Sequence, residues 1–176
     1  MTKTSDKYNE TTTRDPRLAK AARAIMLAVL LLLFAMDTAW AARNCRLTVT
    51  GISFGTYRPG QATPVNANGN VHVRCRGKPR ASQPTFYLLS LSAGNSGNFS
   101  ARHMQKAPGK FLTYNVYTDP LYAMIWGDGS PGTSMVQQTF PGKKIDADHP
   151  AYGRVDASQD PEPGYYSDNL VVTLTF

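Results

Sequence analysis

From Arg46 onward, the chain consists of short stretches in which apolar and polar residues alternate. These stretches are rich in β-branched and aromatic residues, which is typical of β-strands, and glycine, proline, asparagine and serine lie between them. The alternation predicts strands over residues 46–52, 70–76, 85–91, 110–118, 122–126, 134–140, 152–157 and 170–176. No helical periodicity competes with them after Met36. The even spacing of the strands predicts an all-β sandwich or barrel.

The segments between the predicted strands are interpreted as loops. Residues 65–69 and 77–84 have turn-forming composition, and residues 143–150 are polar enough to be exposed. The last strand has the strongest pattern, because every second residue of 170–176 is apolar and the residues between them are Val171, Thr173 and Thr175. The four residues of its apolar face are Leu170, Val172, Leu174 and Phe176.

The first 41 residues have the pattern of a secretory signal peptide. A basic lead is followed by the 13-residue apolar run Ala24–Met36 and by Ala39-Trp40-Ala41, a small-x-small cleavage pattern. Cleavage would leave residues 42–176 as one exported domain that is not inserted in a membrane. The alternative is a single transmembrane anchor, but the run is shorter than the roughly 20 residues that span a bilayer.

The chain is basic, with a formal net charge of +7. Part of this charge lies in one short segment that contains Arg74, Arg76, Lys78 and Arg80. Nucleic-acid binding is not indicated, because no aromatic residue is interleaved with these basic residues. The segment is interpreted as a solvated basic turn, with a contact to an acidic surface or polysaccharide as the alternative.

The two cysteines, Cys45 and Cys75, predict one disulfide, because an even count in an exported protein favours pairing. The alternative is a two-cysteine metal site. It would need two further ligands, and no histidine or cysteine lies at a finger-like spacing to either residue.

Residues that could carry catalysis do not form a recognisable set. The three histidines are scattered along the chain as His72, His103 and His149. Three aspartates lie in turn-like sequences, where side-chain to backbone hydrogen bonds are their expected role: Asp119, Asp128 and Asp168. No nucleotide-binding or serine-hydrolase signature is present. We therefore predict a protein that is not an enzyme and has no metal or cofactor.

Several motifs resemble, in order, those of the spore coat protein U domain family, whose members are related to subunits of archaic chaperone–usher pili. The most specific are LTYNVYTD at 112–119 and WGDG at 126–129. They are accompanied by FGTY at 54–57, LSAGNSG at 91–97 and GYYSD at 164–168. The resemblance extends over the whole of residues 42–176.

The resemblance implies an immunoglobulin-like sandwich that lacks its final strand. A periplasmic chaperone, and later a neighbouring pilus subunit, would donate that strand, and an outer-membrane usher would assemble the fibre. The family thus implies a structural and adhesive role in biofilm, in the periplasm and then on the surface of a Gram-negative bacterium. Leu170, Val172, Leu174 and Phe176 are the candidate residues of the strand-exchange groove, which we expect on the flank of the last strand that is not paired.

Only three residues would precede Cys45 after cleavage, so the chain could accept a strand but has little to donate. This favours a terminal subunit over a repeating shaft subunit. The alternative function is a stand-alone secreted module that binds a surface or glycan through exposed loops such as residues 93–99 or 127–133.

Overall fold

The computed structural model describes residues 44–76, 86–140 and 144–176. The predicted signal peptide and most of the basic turn lie outside these residues. None of the helices in the described ranges has the length and apolar character that crossing a bilayer requires.

Eight strands form two antiparallel sheets. The strands are β1 (Asn44–Thr50), β2 (Val65–Arg76), β3 (Phe86–Leu91), β4 (His103–Ala107), β5 (Lys110–Tyr117), β6 (Val136–Thr139), β7 (Ile145–Val155) and β8 (Val172–Thr175). One sheet has five strands in the order β1-β2-β7-β5-β4, and the other has three in the order β6-β3-β8. Two single 3₁₀ turns, Gly94–Ser96 and Phe99–Ala101, are the helical elements of the described chain. The predicted all-β, immunoglobulin-like sandwich is confirmed.

The core lies between the two sheets and is built from the inward residues of alternating strands. In β3, for example, Tyr87, Leu89 and Leu91 are buried while the residues between them are partly exposed. Trp126 is fully buried although it lies outside the strands, and its indole nitrogen donates to the Leu89 carbonyl at 3.0 Å. Trp126 therefore ties the loop after β5 to the smaller sheet.

Two predicted loops are strands in the structure. Residues 65–69 begin β2, and residues 145–150 begin β7, in which Ile145 and His149 are buried. The prediction for 143–150 was wrong because Asp146 and Asp148 occupy the outward positions of the strand and hide its alternation. On that outward face both carboxylates contact His72 of β2, at 3.3 and 3.0 Å. The short strand β4 was also missed.

The predicted strand over 122–126 is instead a tight turn. The Asp119 carboxylate accepts hydrogen bonds from the backbone N–H groups of Leu121, Ala123 and Met124 at 2.9, 3.1 and 2.7 Å. These bonds lower the pKa of Asp119 and hold the chain away from an extended conformation. Within residues 122–126, isolated β-bridges are formed by Ile125, with Tyr117, and by Trp126, with Ser134.

The predicted disulfide is confirmed. Cys45 and Cys75 lie directly opposite each other in the β1–β2 register, with their Cα atoms 4.0 Å apart, and are bonded. The bond closes a loop with a sequence separation of 30 residues and fixes the beginning of β1 to the end of β2.

Replacing both cysteines with alanine should lower the free energy of unfolding by on the order of 3–4 kcal/mol, because the unfolded chain regains the entropy of the open loop. Urea unfolding monitored by tryptophan fluorescence measures this difference. The wild-type protein after reduction of its disulfide is the matched control and should show an equal loss of unfolding free energy. An unchanged free energy of unfolding in both proteins would contradict the prediction.

A buried polar pair lies in the core where β3 faces β7. The Tyr87 hydroxyl and His149 Nε2 are 2.6 Å apart, and both side chains are buried. Burial raises the pKa of Tyr87 to about 12 and lowers the pKa of His149 below its usual value. The imidazole is therefore neutral in the folded protein at a pH where it is partly protonated in the unfolded chain.

We predict that stability falls as the pH drops below about 6.5, the ordinary pKa of histidine, because the unfolded state then binds the extra proton. The loss approaches about 1.4 kcal/mol per pH unit until the folded protein itself is protonated. His149→Gln should flatten this dependence, measured by urea unfolding between pH 7.5 and about pH 5. His103→Gln, at a partly exposed position, is the control, and equal slopes in the two variants would contradict the assignment.

Candidate functional site

A cavity of about 370 Å³ lies between the two sheets beside β8. Strand β8 is at the edge of its sheet and pairs with β3 alone among the described strands. One side of the cavity is the segment Val49–Phe54, which we call the first wall, and the other is Tyr166–Val172, the second wall. The floor between the walls consists of core residues that are at most 7% exposed: Val71, Leu91, Tyr114, Val116, Trp126 and Ala151. We call this site the groove.

The first wall lies close to the larger sheet because the residues of that sheet directly beneath the wall include glycines. A Cβ atom at Gly69 or at Gly153 would lie 2.8 Å from Ile52, and one at Gly153 would also lie 2.8 Å from Phe54. The Phe54 ring packs edge-on against Tyr114 with a centroid distance of 5.8 Å. No backbone hydrogen bond joins residues 51–57 to any other described part of the chain. Strand pairing with β2 therefore positions Val49 and Thr50 at the start of this wall, and side-chain packing positions the rest.

The second wall passes from the larger sheet to the smaller one. Ser167 pairs with Gln105 of β4 through two backbone hydrogen bonds of 2.8 and 3.2 Å. Four residues later, the Val171 carbonyl accepts a hydrogen bond from the Ser92 backbone N–H at 2.9 Å. Because successive peptide groups of a strand point to opposite edges, this bond directs the peptide groups of Leu170 and Val172 to the unpaired edge.

Asp168 anchors the middle of the second wall. Its Oδ2 accepts a hydrogen bond from the Tyr114 hydroxyl at 2.7 Å, and its Oδ1 accepts one from the Asn95 backbone N–H at 2.8 Å. Gly94, at φ +70°, allows this approach, since a Cβ atom there would collide with the carboxylate. Burial, followed by the bond to Asp168, raises the pKa of Tyr114. The hydroxyl therefore remains a donor.

A fully buried arginine supports both the floor and the second wall. The Arg102 guanidinium donates to the carbonyls of Ser92 and Trp126 at 2.7 Å each, and to Asn115 Oδ1, also at 2.7 Å. Its charge also lies 5.2 Å from the centre of the Phe99 ring. Burial lowers the pKa of Arg102. Its donors satisfy carbonyls that no neighbouring strand reaches.

Arg102→Met should lower the free energy of unfolding by about 3–5 kcal/mol, because three buried oxygen acceptors lose their donor. Arg102→Lys should recover little of this loss, since an ammonium group cannot reach all three acceptors at once. Urea unfolding measures both values. Arg58→Met, at an exposed position, is the control and should change stability by at most about 0.5 kcal/mol. A similarly small change for Arg102→Met would contradict the role assigned to the guanidinium.

Two of the four predicted groove residues line the cavity. Leu170 and Val172 contribute to it directly. Leu174 continues the same face and packs against the core. Phe176 is 42% exposed, and its ring centre lies 6.3 Å from that of Tyr87. The first wall, Asp168 and Arg102 were not predicted as parts of a site. Asp168 lies in the family motif GYYSD, but its sequence context alone indicates only a turn.

The histidines lie in separate places. His72 is on the outer face of the larger sheet, His103 stacks on Phe111 at 4.1 Å, and His149 contacts Tyr87 in the core. No group of three or more side chains suited to a metal ion is found among the residues of the described ranges.

The geometry defines an immunoglobulin-like β-sandwich with a groove along the unpaired edge of its smaller sheet. The chain belongs to the Spore Coat Protein U domain family, whose model matches residues 31–173. It is similar to Protein U of Myxococcus xanthus, with 30% identity over 131 residues that cover 71% of each chain.

Among solved structures, the fold is similar to one from the complex of CsuC and CsuE, a chaperone and tip adhesion subunit of the archaic chaperone–usher Csu pili of Acinetobacter baumannii. The TM-score is 0.52 at 22% identity, over 77% of this chain and 40% of that one. The chain thus spans less than half of that structure's length, and the likeness concerns the fold. The E. coli Hda pilus minor tip subunit HdaB matches over 73% of this chain and 79% of its own, with 13% identity and a TM-score of 0.37, too low to support an inference.

Proposed function

We propose that this protein is an exported structural and adhesive subunit of a chaperone–usher surface fibre, and that its groove accepts a β-strand donated by another chain. The observation that carries the proposal is the groove itself, an apolar floor of core residues beside an edge of β8 with which no other described strand pairs. A donated strand would pair with β8 through its backbone and place alternate side chains on the floor. The subunit has no catalytic role in this proposal.

The same geometry supports the partners that we propose. An unpaired apolar edge is an aggregation hazard, so such a subunit needs a periplasmic chaperone to cover it until assembly. The CsuC–CsuE complex, with its similar fold, is a chaperone–subunit pair of this kind. An outer-membrane usher and other pilus subunits complete the proposed pathway from periplasm to cell surface, after removal of the signal peptide. A terminal position in the fibre is part of the proposal.

An appended strand tests whether the groove accepts one. An Asn-Gly turn after Phe176, followed by about nine residues of alternating valine and threonine, would fold back along β8 as a hairpin and span roughly 30 Å. We expect the midpoint of thermal unfolding to rise by roughly 10 °C, because the strand covers the groove. The control strand carries proline at alternate positions and cannot complete the ladder. An equal midpoint for both strands would contradict the proposal.

Two adjacent residues of the second wall provide a matched pair for this test. Leu170 lines the groove, whereas Val171 faces away from it and is 63% exposed. Leu170→Arg should abolish the gain from the appended strand by placing a charge on the apolar path, and Val171→Arg should retain it. Calorimetry on the four proteins measures both gains, and a loss in the Val171 variant alone would contradict the assignment of the faces.

The alternative function, a stand-alone surface- or glycan-binding module, is favoured by one other observation. The turn held by Asp119 exposes 83% of Leu121 and 50% of Met124. A stand-alone module would be soluble, monomeric and protease-resistant without a partner. Periplasmic expression with and without a co-expressed chaperone of the chaperone–usher type distinguishes the two functions, since the fibre subunit should accumulate only with the chaperone.

A further inference from the structure

We infer that Asp168 is a positioning residue of the groove: its carboxylate holds the second wall away from the floor, so that the groove is open before a strand arrives. The inference rests on the proposed function and adds to it a preformed acceptor. It starts from a physical difficulty. An apolar floor beside irregular chain should close, because further contact between the floor and Leu170, which already packs against the core, would remove apolar surface from water.

The contacts along the second wall show where it could close. Backbone pairing fixes the wall at Ser167, to Gln105, and at Val171, to Ser92. Between these two points, Leu170 packs against the core, and the Asp168 carboxylate makes the hydrogen bonds that join the wall to other elements of the described chain. The side chain is half-buried and lines the groove itself.

The two oxygens of Asp168 connect different parts of the sandwich. The Tyr114 hydroxyl comes from β5 in the floor, and the Asn95 N–H comes from the 3₁₀ turn after β3. A carboxylate has acceptors only, so each of its two oxygens can bind one of these donors. The carboxylate therefore links the floor to this turn and fixes the position of the second wall, to which Asp168 belongs.

The first wall is held without any contribution from the second. Ile52 and Phe54 pack over Gly69 and Gly153. The separation of the two walls is thus set by two sets of contacts that glycines permit, and both include Tyr114, which packs on Phe54 and donates to Asp168. Loss of the Asp168 carboxylate should leave the sandwich intact and release the second wall between Ser167 and Val171.

The appended valine–threonine strand described above is the probe. The appended strand should raise the midpoint of thermal unfolding by roughly 10 °C in the wild type. Asp168→Ala should reduce this rise to less than about half, since the strand must then reopen a closed groove. Asp168→Asn, which keeps the size and one acceptor, should retain most of the gain. Asp160→Ala, in the exposed loop after β7, is the control and should retain all of it. An equal gain in Asp168→Ala and in the wild type would overturn the inference, because a merely structural role lowers both midpoints together.

A second measurement needs no donated strand and separates failure of the inference from failure of the proposed function. Nitroxide labels on cysteines introduced at the exposed positions Ser53 and Asn169 report the distance between the walls. We expect one narrow distance in the wild type, and a shorter or broader distribution in Asp168→Ala. Identical distributions would overturn the inference, whatever the appended strand does. If Asp168→Ala does not fold, Tyr114→Phe removes one of the two donors and is measured in the same way.

Discussion

The buried guanidinium of Arg102 is the interaction on which the rest of this sandwich depends. A five-stranded sheet faces a three-stranded one, so irregular chain must cover part of the larger sheet. Irregular chain brings carbonyl groups into the core without strand partners, and such groups are costly unless they are hydrogen-bonded. Arg102 donates to two of these carbonyls, those of Ser92 and Trp126, and so allows loops instead of strands to cover part of the larger sheet.

The groove is a consequence of the same shortage of strands. The core is covered where Trp126 and the loops pack over it. Beyond them, core residues form the floor of a cavity beside β8. The two walls differ in how they are held, since packing over glycines seats the first and hydrogen bonds hold the second. A site with such a floor favours recognition of an extended chain over recognition of a small polar ligand.

Alternation in the sequence was sufficient to predict strands wherever one face is apolar and the other is not, as in β3, β5 and β8. It failed at residues 145–150, where outward aspartates bind His72 across the sheet, and at 122–126, where the Asp119 carboxylate captures the backbone. Apart from Leu170 and Val172, the floor and walls of the groove were not predictable by this means. They depend on which glycines lie beneath Ile52 and which donors reach Asp168, and those are tertiary contacts.

The seating of the first wall has a consequence for how the chain can vary. Gly69 and Gly153 do not line the cavity, yet Ile52 and Phe54 lie directly against them. Any side chain added at either glycine would displace the wall into the space beside β8. A substitution at either glycine would therefore change the shape of the groove although neither residue lines it, and a comparison restricted to lining residues would overlook both positions.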